Sequence, residues 1–450
     1  MGEAAAAPRA ESLERWLGRE YRYATGAMLT SISPVDIVKT RPQFGQTVRP
    51  VKGAIVASPV LAAYDPDPDY FFHWYRDAAI VVDALRLLHE GGSVGTAAIA
   101  HFGDFVRFSR ALARLDGRRM AESADWRAGV DPEFAKYVRE DAELATIRGA
   151  EVAAEVRVNP DGTLDLSKWS RPQNDGPPLR ALVVLRWLRA VPLEAGLAAE
   201  AAALIEADLE FAFRRWGERS FDLWEEDQSP SYYTLRVSAG ALAAGAAWLE
   251  QRGDGERARA YRAESAVILR RLDGFWLAEE GHYRSRRAES GERSQKELDI
   301  AVILAALHAG PAVGNNHAHS VHDPRTRRTL ERLIEWFATA YPINRTRRSA
   351  PAMGRYAGDV YCTGGPWYLA TLAAAEFCYR AAHGASDPRA WIARGDGFLE
   401  TVRAFTPPGG ELSEQFDPAT GAQASARHLA WSYAAFISCA AARRAVTGNA

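Results

Sequence analysis

The 450 residues carry 55 basic and 57 acidic side chains, and a formal net charge of −2 gives no reason to expect nucleic acid or an anionic membrane as partner. Hydrophobic residues at 47% and charged residues at 25% are ordinary globular usage. Three cysteines, Cys362, Cys378 and Cys439, support no disulfide framework, and ten histidines without paired helical spacing suggest neither a metal nor a cofactor.

The opening MGEAAAAPRAESLERWLGRE is too interrupted by charge to be a signal segment, and no stretch approaches a membrane span, so a cytoplasmic location is expected. Helical periodicity then dominates. A charged amphipathic segment over 11–32 leads through the loop 58–77 to an apolar one over 78–90. Next come a charged helix over 96–116, a charged insertion over 118–157, the loop 158–177 and an apolar helix over 178–191. The same order repeats as 197–217, loop 218–230, 231–250, and as 254–275, loop 282–296, 297–309. It repeats again as 326–340, loop 348–365, 366–383, and as 389–405, loop 407–427, 428–446.

A helix with one polar face lies outside, and one apolar most of the way round is buried on both sides. Six such pairs in strict turn predict an all-α fold, an (α/α)6 barrel, as one domain over 1–450 with the insertion at about 118–157. Closure would gather the six loops that enter the inner helices at one rim, where function concentrates.

Those loops hold an aromatic excess from 13 Trp, 16 Tyr and 17 Phe. SFDLWEEDQSPSYYTL sets Glu225, Glu226 and Asp227 beside Trp224. Acidic residues in a helix's first turn complement its dipole, so a solvated helix start is the plain reading. It weakens because GGELSEQFDPATG repeats the pattern before the last inner helix, with Glu414 between Glu411 and Asp417. DPDPDYFFHWYRDAAI brings Tyr70, Trp74, Arg76 and Asp77; KWSRPQNDGPPLRA brings Trp169; GRYAGDVYCTGGPWYL brings Arg355 and Tyr361. Flat rings beside carboxylates and guanidinia suit a sugar, whose faces stack and whose hydroxyls bond. Two carboxylates across a pocket meet the need of glycosidic cleavage, one giving a proton and one activating water. Glu225, crowded by Glu226 and the Trp224 indole, is the candidate acid, and Glu414, before the last inner helix, the candidate base.

Together these stretches resemble glycoside hydrolase family 15, the glucoamylases and glucodextranase-like enzymes, in the family's order over residues 53 to 437. The resemblance implies an (α/α)6 barrel and inverting exo-cleavage that releases glucose from non-reducing ends. It implies Glu225 as general acid and Glu414 as general base. Arg76, Asp77, Arg355, Glu226 and the Leu223–Trp224 backbone would hold the terminal glucose, with Tyr70, Trp74, Trp169 and Tyr361 as aromatic walls. Ala357-Gly358 stands where fungal glucoamylases often read Pro-acidic, which leaves linkage open. The expectation is an α-glucosidase on short α-1,4-glucans, with α-1,6-linked isomalto-oligosaccharides or dextran and trehalose as alternatives. A catalytically inactive carbohydrate-binding protein is the alternative of another class. The expected partner is the oligosaccharide, and the expected state is a monomer or weak homo-oligomer.

Overall fold

Periodic side chains and local caps define the helices. The computed structural model describes residues 11–63, 67–123, 125–287, 293–310, 317–346 and 348–448. In chain order, α1 (Leu13–Leu29) starts where Ser12 caps the Arg15 amide, and it buries Trp16, Leu17, Glu20, Ala24 and Met28 along one face. After it come α2 (Tyr75–Glu90) and α3 (Ala97–Leu112). Four short helices follow: α4 (Gly117–Ala121), α5 (Asp125–Ala128), α6 (Asp141–Leu144) and α7 (Ala150–Ala153). The chain continues through α8 (Gly176–Ala190), α9 (Ala195–Arg215), α10 (Tyr232–Gln251) and α11 (Gly255–Asp273). It ends with α12 (Ala301–His308), α13 (Pro324–Ala340), α14 (Tyr368–Ala382), α15 (Pro388–Phe405) and α16 (Ala430–Thr447).

The two helix styles sort as their sequences require. In α13, Thr326, Thr329, Leu330, Leu333 and Phe337 are buried at three- and four-residue spacing, one stripe against the core. In α14 every residue except Arg380 is buried, because this helix is covered on both sides. Each inner helix packs on the next, α2 on α8, α8 on α10, α10 on α12, α12 on α14 and α14 on α16, and α16 returns to α2. The outer helices α1, α3, α9, α11, α13 and α15 lie against this closed ring. The fold is an (α/α)6 barrel.

Glycine sets the closest approaches. A Cβ on Gly245 of α10 would lie 2.5 Å from Leu209 of α9. Trp187 of α8 ties two layers, stacking on Phe102 of α3 at 4.6 Å and donating from Nε1 to the Val82 carbonyl of α2 at 2.9 Å.

The insertion covers part of the outside. Leu144, Ile147 and Val152 join Phe108 and Leu112 of α3 in a second, smaller apolar cluster. The described strands are short antiparallel pairs. Strand β1 (Lys39–Arg41) pairs with β2 (Gln46–Val48), and β3 (His73–Trp74) with β4 (Arg157–Val158). Strand β5 (Trp276–Leu277) pairs with β6 (His282–Tyr283), and β7 (Gln415–Phe416) with β8 (Gln423–Ala424). Pairs β3–β4 and β7–β8 sit in rim loops and stiffen them beside the inner helix starts.

Candidate active site

A cavity of about 550 Å³ opens at the end of the barrel where the inner helices begin. Every site residue read from the sequence lines it: Tyr70, Trp74, Arg76, Asp77, Trp169, Leu223, Trp224, Glu225, Glu226, Arg355, Tyr361 and Glu414.

The DLWEE stretch is not a helix start. It is a tight loop closed by a bridge between Phe221 and Gln228, ahead of α10. At its tip Glu225 takes φ of +65°, a left-handed conformation rare outside glycine. That turn separates the two glutamates. Glu225 Oε1 accepts from the Trp74 indole at 2.9 Å and from Arg76 at 3.0 Å, and Oε2 accepts from the Trp169 indole.

Glu226 points elsewhere. It accepts from Arg355 at 2.8 Å, from Lys296 at 2.9 Å and from the Tyr356 hydroxyl. Burial alone would raise its pKa, but Arg355, Tyr356 and Lys296 together hold it below the usual carboxylate value. The Trp224 indole donates to Asp299, at 3.0 Å to Oδ2. The sequence reading that Glu226 and Trp224 crowd Glu225 is therefore corrected: its carboxylate neighbours are Trp74, Trp169 and Arg76.

Arg76 sits where charges concentrate. It donates to Asp175 at 3.1 Å and to Glu225, and Nε lies 3.6 Å from Asp77 Oδ2. Burial pushes Asp77 up to about 6 although Arg76 opposes it, and burial likewise raises Asp175. Asp77 and Asp175 therefore hold a proton more readily than free carboxyls, although Arg76 faces both.

Glu414 lies deeper, on the loop between α15 and α16. It is 3% exposed and accepts from the Ser425 hydroxyl. Burial pushes its carboxyl up to about 7, with the Ser425 hydrogen bond, Arg355 and Tyr70 opposing. Tyr70 connects the two acids. Its ring lies 5.1 Å from that of Trp74, and its hydroxyl meets that of Tyr361 at 2.8 Å.

Arg355 is fixed by Asp359 at 2.7 Å through Nε and by the rings of Trp224, Tyr361 and Trp367 at 5.0–5.3 Å. The sequence reading set Trp367 in a rim loop without a binding role, and it missed Lys168 and Trp431 in the lining and Ser425, Tyr356 and Lys296 behind it. Position was the available signal for Trp367 and Trp431: each stands at the start of an inner helix, α14 and α16, as Trp74 does at α2. Among the described residues no group of three or more His, Cys, Asp or Glu could hold a metal ion, and no helix is long and apolar enough to cross a membrane.

A barrel of paired helices carrying two glutamates in one aromatic-lined cavity defines a class of carbohydrate-processing toroids. The comparisons name the family. The model for Glycosyl hydrolases family 15 matches residues 40–91, 157–393 and 382–441, and the chain belongs to that family and is a glycoside hydrolase. It is 28% identical to a probable glucoamylase of Schizosaccharomyces pombe, over 97% of this chain and 93% of that protein. It is 32% identical to a glucoamylase of Neurospora crassa over 87% of its length, which spans 63% of that protein. The solved glucoamylase of Saccharomycopsis fibuligera shares its fold with a TM-score of 0.79, covering 100% and 99% of the two chains at 22% identity. That of Hormoconis resinae aligns with a TM-score of 0.75 at 25% identity, covering 97% of this chain and 74% of the other.

Proposed function

We propose that the protein is an inverting, exo-acting α-glucosidase that releases glucose from the non-reducing ends of short α-1,4-glucans. One observation carries this reading: both glutamates line a cavity whose other walls bring buried polar atoms with no hydrogen-bond partner in the protein. These are Trp367 Nε1 and Trp431 Nε1. Unpaired buried donors are costly, and sugar hydroxyl oxygens would accept from both indoles.

Roles follow from position. Glu225 is held by Trp169, a rim residue 39% exposed, on the side where the leaving sugar departs. It acts as general acid. Glu414 lies on the closed side under Tyr70 and Tyr361, where a water between carboxylate and anomeric carbon would be shielded. It acts as general base and must be ionised to do so. Arg76, Asp77, Arg355 and Glu226 orient hydroxyls of the terminal glucose.

The test is Glu225→Gln. It keeps the size of the side chain and removes its acidity. Turnover of maltotriose falls about 10²-fold or more with binding retained. Unchanged turnover would remove the assignment. Parallel assays on isomaltotriose and trehalose rank the linkages, and silence on all three ends the α-glucan reading.

A further inference from the structure

The insertion between α3 and α8 lies mostly outside the matched family segments, which stop at residue 91 and resume at 157. It nevertheless reaches the cavity mouth. Its residues 137–139 run antiparallel to 166–168: Arg139 N donates to the Leu166 carbonyl at 2.9 Å, and Lys168 N to the Tyr137 carbonyl at 2.7 Å. Val138 stands opposite Ser167. Tyr137 therefore stands opposite Lys168, and residues opposite each other in such a pair share a face. Lys168 and its neighbour Trp169 both line the cavity. Tyr137 stands on the neighbouring segment, across from Lys168.

That ring is open. Tyr137 is 51% exposed and Trp169 is 39% exposed, and they are the two aromatic rings among the large exposed hydrophobic side chains of the described residues. Exposed rings this close to a carbohydrate cavity are stacking surfaces rather than core. They are also firmly founded. Beneath the paired segment, buried Arg139 binds Glu155 at 2.8 Å, Glu155 binds Arg171 at 2.8 Å, and Arg171 and Arg157 both bind Asp165 at 2.8 Å. The Arg157 guanidinium lies 3.8 Å from the centre of the Trp169 ring, which fixes its plane. Lys136 lies 5.0 Å from the Tyr137 ring, and Lys168 reaches Glu140 at 3.3 Å. A rigid platform costs little ordering when a flexible chain settles on it.

We propose that Tyr137 and Lys168 form an outer carbohydrate subsite, beyond Trp169, for the reducing-end sugars of an oligosaccharide too long for the cavity. This rests on the α-glucan reading above. The ring supplies a stacking face and the ammonium a hydrogen-bond donor, so the occupant is a neutral linear oligosaccharide. The insertion is then a chain-length device.

The experiment compares glucose release from maltose and maltopentaose by the wild type, Tyr137→Ala and Tyr137→Phe. Tyr137→Ala lowers the ratio of kcat/KM on maltopentaose to that on maltose about fivefold, the scale of one lost aromatic contact, and does so through KM. Tyr137→Phe, which keeps the ring, restores most of the ratio. Equal ratios in all three proteins would overturn the subsite, because a merely structural tyrosine has no reason to sense chain length. A wild type that releases glucose from neither sugar would instead overturn the α-glucan reading, and the subsite with it.

Discussion

At Glu225 and Ser425 the backbone takes φ of +65° and +63°; the first is one candidate carboxylate and the second hydrogen-bonds the other, Glu414. Non-glycine residues persist there, at a cost of roughly 1–3 kcal/mol each, only when their surroundings fix them. The strain at Glu225 turns one glutamate to Arg76 and the next to Arg355. The strain at Ser425 aims its hydroxyl at Glu414, where its hydrogen bond holds the carboxyl down against burial. Removing it in Ser425→Ala lets the pKa rise above its present value of about 7. Since the base works ionised, the acidic limb of kcat/KM then moves upward by roughly one pH unit, the size of a lost hydrogen bond to charge. A pH profile of the variant checks this, and an unmoved limb would mean that Glu414 does not set it. Much of this scale was hidden in the sequence. Glu225 and Glu414 were legible because carboxylates beside aromatics recur in the loops. The partners Lys296 and Ser425 were not: each becomes one only through the path of its loop, and no local pattern encodes that path.

At the scale of the elements, the twelve barrel helices were legible because burial and periodicity coincide in each. The stripe of α13 and the apolar breadth of α14 state outside and inside in the sequence itself. The insertion was not, because helices of four or five residues carry too few turns for a periodic signal. Helix packing makes a sharper demand at Gly245. A Cβ there meets the end of the Leu209 side chain at 2.5 Å, so Gly245→Val must turn that side chain aside or push α10 from α9. Overpacking of this kind costs about 1–3 kcal/mol, and a lower urea midpoint would register it. A midpoint equal to the wild type would mean that the Leu209 side chain gives way without cost.

The whole molecule closes when α16 returns to α2, and α1 then covers α16. Glu20 of α1 is buried with neither carboxylate oxygen hydrogen-bonded within the protein. Burial pushes it up from 4.5 to about 8, with Arg19 opposing and Glu411 adding. A folded pKa above the unfolded one gives stability that is complete below about 4.5 and lost as pH rises through about 8. Glu20→Gln removes that dependence, so its stability relative to the wild type grows across this window. Urea midpoints of both proteins along the pH range read it directly, and a constant difference would contradict it.

Closure also places six loops at one rim, which is why residues as distant as Tyr70 and Glu414 meet in one cavity. The proposed inversion requires a water between Glu414 and the anomeric carbon of the sugar whose glycosidic oxygen Glu225 would protonate. Proton NMR of the first glucose freed from maltose tests it before mutarotation mixes the anomers. Inversion gives the β-anomer first; the α-anomer appearing first would make Glu414 a nucleophile and end the inverting assignment.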